Sequence, residues 1–213
     1  KALRDEYDAI IVANRTHQHM EVALQAARNK KNLFIEKPLS ISMDGCKELQ
    51  ELTNAYNLVV ETGFMLRFHP NLVWIKKYLL DDKLGELMHI QASVGQWLPD
   101  WRPESDYRIG YGAFRNTGGG VIFDLVHELD LVSWIAGKIV DVNTMTRHVK
   151  CLNIETEAIA QISLRLESGV LSQVHLDYVH PGYERELKIV GTKGVLSWDY
   201  LKGMVFFSDS TLS

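Results

Sequence analysis

The chain has 213 residues, 46% of them apolar, enough to bury a sizeable core and build one or two domains. A formal net charge of −4 leaves no electrostatic footprint for nucleic acid or an anionic membrane, so small molecules are the expected partners. No stretch approaches the roughly 20 apolar residues that cross a bilayer, and the two isolated cysteines, Cys46 and Cys151, fit a reducing cytoplasm better than a disulfide framework.

Asp8 to Asn14 reads as a buried strand, followed by Thr16-His17-Gln18-His19 and a helical pattern from Met20 to Arg28. Next comes Leu33-Phe34-Ile35-Glu36-Lys37-Pro38, an apolar run that ends in an acid, a base and a proline. As a buried parallel strand it would carry Glu36 and Lys37 at its carboxyl end, where open α/β sheets bind ligands. The ordinary alternative is a turn whose two charges face water. Helical spacing over residues 43–56 and a third strand from Leu58 to Phe64 decide for the first reading, because strand alternating with helix is a parallel unit with right-handed crossovers.

Near Arg67 to Asn71 the parallel strands give out. Leu72 to Leu80 reads as a helix and Leu87 to Gln96 as a strand, and Trp97 to Gly120 is too long to be an idle connection. A helix is expected over Val121 to Ala136. Strands follow at Asp141 to Val149, Glu157 to Leu166, Val170 to Tyr178 and Glu186 to Val190, with turns at Glu167-Ser168-Gly169 and Gly191-Thr192-Lys193-Gly194. The expected fold class is α/β: an incomplete Rossmann-type parallel sheet over 1–66, then an α+β domain with a mostly antiparallel open sheet over 67–213.

On the expected helix, Ile122, Leu125, Val126, Leu129 and Val132 form one apolar arc, and Asp124 and His127 project together on the opposite side. A solvated polar face is the bland reading. Leu131 and Trp134 share that side, which favours a buried cleft. In the long segment, Trp97, Trp101, Arg102, Asp106, Tyr107 and Arg108 suit a polyhydroxylated or anionic ligand, or else pin the loop down. His17 and His19 with Asn14 lack a third ligand, so no metal is expected. Asn14-Arg15-Thr16 matches a glycosylation sequon but lies at a buried strand end and is set aside.

Taken in order, Asp8 to Asn14, His19, Glu36-Lys37-Pro38, Gly63-Phe64-Met65-Leu66-Arg67-Phe68-His69-Pro70 and Gly118-Gly119-Gly120 with Asp124, His127 and Asp130 resemble the glucose-fructose oxidoreductase / inositol dehydrogenase (Gfo/Idh/MocA) family across nearly the whole chain. The resemblance implies NAD or NADP beside Ala13, Asn14, His19, Glu36, Lys37 and Met65. It implies a carbohydrate-like substrate beside Trp101, Arg102, Tyr107, Asp124 and His127, and a homo-oligomer formed through the open face of the C-terminal sheet. Lys37, Asp124 and His127 would surround the reacting carbon, with hydride passing between nicotinamide and a secondary hydroxyl of a sugar, sugar derivative or cyclitol.

The chemistry suits those residue types. Alcohol oxidation must also remove a proton, and histidine begins near neutrality. Lys37 would depress the histidine pKa and stabilise a developing alkoxide, and Asp124 would orient substrate or tune His127.

Two departures stand out. Many members space the aspartate and histidine four apart, whereas here they are three apart. The family's opening G-x-G-x-x-G/A turn, which holds the cofactor pyrophosphate, does not occur in the 213 residues. The sequence is therefore expected to be part of a longer protein, with Lys1 to Glu6 as the helix or loop before the first strand seen here. A short protein that has lost cofactor binding is the alternative. A non-catalytic ligand-binding or dimerisation module of the same fold is the competing function, and a lyase or hydrolase using NAD transiently is a third.

Overall fold

The computed structural model describes residues 7–209, so the expectation for Lys1 to Glu6 lies outside the described residues. Strands β1 (Ala9–Val12), β2 (Asn32–Ile35) and β3 (Val60–Thr62) form a parallel sheet in that order, with Val12 opposite Ile35 and Ile35 opposite Thr62. The crossovers are α1 (His19–Arg28) and α2 (Cys46–Tyr56), as the alternating pattern predicts. Helix α1 turns Met20, Ala23, Ala26 and Ala27 inward at helical spacing, and the small alanines seat it against Val12, Leu33, Ile35 and Leu49. On the sheet's other face Ile11 and Phe34 are exposed.

The rest of the chain builds a second, larger layer pair. After α3 (Pro70–Leu80) and β4 (Leu87–Gln96), residues 97–120 contain four one-turn 3-10 segments, and then come α4 (Val121–Asp124) and α5 (His127–Ala136). Strands β5 (Ile139–Arg147), β6 (Ile159–Leu166), β7 (Leu171–Asp177), β8 (Tyr183–Gly191), β9 (Gly194–Asp199) and β10 (Met204–Asp209) join β4 in the order β10-β9-β8-β4-β7-β6-β5. The sheet is mostly antiparallel, as expected; the single parallel pair is β4 with β7.

Period-two alternation sets its faces. β6 buries Ala160, Ile162, Leu164 and Leu166 and turns Gln161, Ser163 and Arg165 outward. The inward residues pack with Leu72 and Ile75 of α3 and Leu131 and Val132 of α5. Each such aliphatic side chain contributes about 1.5–3 kcal/mol by leaving water.

One expected element breaks. The helix predicted over Val121 to Ala136 is interrupted at Leu125, whose backbone leaves the helical region (φ −106°, ψ 28°), and it resumes at His127. The predicted apolar arc is redrawn with it: Val121, Leu125, Leu131 and Val132 are buried, whereas Val126 stays outside the core and Glu128 goes in. The run Gly118-Gly119-Gly120 makes this approach possible. Gly118 and Gly120 have φ of +85° and +116°, and a Cβ on Gly119 would collide with the Gly112 carbonyl.

Candidate active site

Lys37 leaves β2 at its carboxyl end and enters a cis peptide bond with Pro38. Its Nζ donates to the backbone carbonyl of Asp124 at 2.5 Å. In an unbroken helix that carbonyl would accept from the N–H four residues on; the break after Asp124 leaves it for Lys37. His19 braces the same corner from beneath, its Nδ1 2.9 Å from the Pro38 carbonyl oxygen and its Nε2 2.9 Å from that of Asn14. Both ring nitrogens are thereby engaged with the backbone.

A cleft of about 560 Å³ opens here, lined by Ala13, Asn14, Arg15, Thr16, His19, Glu36, Lys37, Trp101, Arg102, Tyr111 and Asp124. Five of the residues expected beside a cofactor are therefore gathered at the ends of β1 and β2. Met65, the sixth, lies in the 3-10 turn Met65–Phe68 after β3, exposed and away from this lining. Tyr107 lines an adjoining cavity of about 340 Å³, which shares Arg15, Trp101, Arg102, Tyr111 and Asp124 with the first.

Asp124 and His127 come from the two helix pieces, so their side chains are placed by tertiary contacts. Tyr178, fully buried just after β7, donates its hydroxyl to Asp124 Oδ2 at 2.7 Å. Trp101 packs edge-on against the Tyr178 ring with centroids 5.3 Å apart. His127 is buried against the edge of Phe64, and its Nδ1 has no hydrogen-bond partner. Arg67 clamps α5 through Asp130 with two bonds of 2.9 and 2.5 Å, which accounts for the joint presence of these residues in the motif.

Burial pushes the Asp124 carboxyl above the usual range, opposed by the Tyr178 hydrogen bond and the Lys37 charge. Burial, then the charges of Lys37 and Arg185, hold the His127 imidazole down to about 4, so it is neutral at pH 7. Burial also lowers the Lys37 ammonium, against the pull of Asp124 and Glu36.

Sequence reasoning missed the ion pair beneath these groups. Glu128 and Arg185 are both buried, with Nε 2.8 Å from Oε1 in an off-axis contact that leaves both carboxylate oxygens without a formal hydrogen bond. The signal was present in both patterns. Glu128 continues the stripe Val121, Leu125, Val132, and Arg185 stands on the inward side of β8 with Leu187 and Ile189. Two opposite charges on core-facing positions imply a partnership. Tyr178 carried a weaker signal, an aromatic at the end of an inward-facing series.

Comparison with known families decides the lineage. A family model described as the GFO/IDH/MocA C-terminal domain matches residues 73–197, and one described as an oxidoreductase family NAD-binding Rossmann fold matches residues 1–64. The chain belongs to the Gfo/Idh/MocA family. Over 204 residues, 92% of this chain and 57% of the relative, it is 26% identical to a myo-inositol 2-dehydrogenase of Thermotoga maritima. Over 143 residues, 67% of this chain and 37% of the relative, it is 27% identical to a 2,7-anhydro-N-acetylneuraminate hydratase of Mediterraneibacter gnavus. A levoglucosan dehydrogenase solved with NADH and levoglucosan superposes with a TM-score of 0.88 over 100% of this chain and 60% of its own, at 18% identity. This Gfo/Idh/MocA chain thus spans 37% to 57% of the length of those two sequence relatives.

Proposed function

We propose that the chain forms the reaction cleft of an NAD(P)-dependent oxidoreductase acting on a secondary hydroxyl or ketone of a sugar, sugar derivative or cyclitol. The observation that carries this reading is the convergence of Lys37 and Asp124, from separate elements, on one water-accessible cleft at the carboxyl ends of parallel strands; His127 is outside the cleft's lining, buried behind it but near enough for the Lys37 charge to act on its imidazole. A scaffold has no use for that convergence. A nicotinamide and its ribose fit Ala13, Asn14, Glu36 and Lys37, with His19 holding the corner rigid; bound there, nicotinamide supplies the hydride acceptor. The family match over residues 1–64 supports the same assignment.

His127, neutral at working pH, takes the hydroxyl proton as the C–H bond is lost. Lys37, fixed by the Asp124 carbonyl, presents its remaining N–H groups to the oxygen on which negative charge develops. Asp124, held by Tyr178, orients the substrate hydroxyl. Trp101, Arg102 and Tyr107 form the outer wall, where a pyranose or cyclitol ring would lie.

The outward face of the large sheet, with a shallow depression of about 460 Å³ lined by Gln91, Gln161, Gln173 and His175, is where we place the contact between subunits. The two free cysteines favour the cytoplasm. Among the described residues no helix is long and apolar enough to cross a membrane, and no group of three or more His, Cys, Asp or Glu is placed to hold a metal.

The test is a screen of the full-length protein with NAD and NADP against sugars, sugar acids and cyclitols, followed by absorbance of the reduced nicotinamide. Stoichiometric reduction is expected. The hydratase relative supports a second reading, in which hydride leaves and returns within one turnover. Product formation without net reduction would select it.

A further inference from the structure

We propose that the substrate carries a carboxylate, received by Arg102 together with Arg15 at the outer end of the cleft. The inference deepens the oxidoreductase reading and rests on it for the position of the reacting carbon.

The two cavities share five residues and form one depression running from Glu36 and Lys37 out to Ser105 and Tyr107. Arg15 and Arg102 line both parts. Arginines elsewhere in the described residues are largely committed: Arg28, Arg67, Arg108, Arg165 and Arg185 each hold a carboxylate at 3.2 Å or closer. Arg15 and Arg102 hold none, and Arg102 lies over the Tyr111 ring, 5.9 Å from its centroid. The exposed Arg115 and Arg147 are also unpaired but line neither cavity.

No nearby acid forms an ion pair with either guanidinium: Asp124 acts on Arg102 only at longer range, and the hydrogen bonds these acids make go to other groups. Asp106 is chelated by the Arg108 backbone N–H and guanidinium at 2.8 to 3.0 Å. Asp124 Oδ2 accepts from Tyr178, and Glu36 Oε2 accepts from the Lys37 backbone N–H at 3.2 Å. The depression therefore presents two guanidinium groups without an ion-pair partner, Arg102 held by the Tyr111 side chain, beside aromatic walls from Trp101, Tyr107 and Tyr111. A guanidinium fork matches a carboxylate bidentately, and aromatic rings accept the carbon face of a sugar. A sugar acid satisfies both at once, whereas a neutral polyol leaves the cations bare.

Calorimetric titration of the full-length enzyme saturated with NADH tests this with matched pairs: D-glucuronate and D-glucose, D-gluconate and D-glucitol, N-acetylneuraminate and its methyl ester. At least one acid should bind about tenfold or more tightly than its neutral partner, the worth of one charge-assisted contact, and added salt should shrink the difference. Arg102→Gln and Arg15→Gln should each abolish most of that preference, read as the ratio of acid to neutral affinity within each variant, with NADH affinity staying within about twofold. The proposal is overturned if no acid binds, if the neutral members bind as well, if Arg102→Gln leaves the preference intact, or if Arg15→Gln weakens NADH alone.

Turnover separates the two readings. Acids bound in preference but never oxidised would sink the oxidoreductase reading and leave the carboxylate site standing. Neutral sugars oxidised in preference would do the reverse.

Discussion

The two walls of the cleft are made in different ways. On the parallel-sheet side, Ala13, Asn14, Glu36 and Lys37 follow strand ends whose positions are fixed by main-chain pairing, Val12 against Ile35. On the other side Asp124 lines the cleft from a helix interrupted just after it, and buried groups stand behind it: His127 on the next piece of that helix, and Tyr178 and the Glu128–Arg185 pair. A strand end places a side chain through its register; a broken helix does not, so the second wall needs polar side chains as braces. That wall should therefore be the more sensitive to substitutions outside the residues touching substrate.

The largest expected effect lies in the chemistry itself. In the full-length enzyme His127→Ala should lower turnover by roughly 10² to 10⁴, the usual worth of general acid–base catalysis. NADH affinity should hardly change, because the groups we propose for nicotinamide are on the opposite wall. Steady-state rates across pH check this. Near-normal turnover in the variant would move the proton transfer to Lys37.

Next comes the brace beneath it. Glu128→Ala leaves Arg185 buried without a counter-charge, and breaking such a pair costs about 3–5 kcal/mol. Replacing both at once, Glu128→Leu with Arg185→Met, removes the desolvated charges together and should recover most of that loss. Urea denaturation of the single and double variants measures it. A silent Glu128→Ala would show that the second wall does not depend on its buried pair.

How far the sequence foretold these walls follows the same division. Strand, helix and turn signals at residues 8–64 are local, so the parallel unit and the position of Lys37 were legible, including the proline that ends the run. Strands β4 to β8 of the large sheet and its mostly antiparallel pairing were legible too. The break at Leu125 was not, because Leu125, Val126 and their neighbours favour an unbroken helix; only the close approach of the triple glycine and the Lys37 bond to the Asp124 carbonyl explain it. The three-residue spacing of Asp124 and His127 put their mutual geometry in question, and the helix is interrupted between them.

Smaller and readable by pH is the His127 contribution to stability. Its imidazole titrates near the ordinary 6.5 when unfolded and at about 4 when folded. Between those values the unfolded chain binds more protons, so stability falls as pH drops from 6.5 to 4, by about 3 kcal/mol in all. Glu128, raised by burial to about 7 from 4.5 against the pull of Arg185, acts in the opposite direction between pH 4.5 and 7 and offsets part of it. His127→Gln should therefore make the protein's denaturation midpoint rise as pH falls through this window, relative to the wild type. Identical pH profiles for the two would mean that His127 protonates freely when folded.

The smallest expected effect is at Tyr178. Tyr178→Phe keeps the ring, its packing against Trp101 and its burial, and deletes only the hydroxyl that donates to Asp124 Oδ2. A hydrogen bond to a charged group contributes about 1.5–3 kcal/mol, and part of that loss will be recovered by water entering from the open cleft. The Asp124 carboxyl, already raised by burial, then loses a group that pulls it down, so its pKa rises further. If ionised Asp124 orients the substrate, the acid limb of the kcat/KM profile should shift to higher pH and KM should rise more than kcat falls. A profile that stays in place while stability drops would make Tyr178 a packing residue of the large core and remove the hydroxyl from the second wall's set of braces.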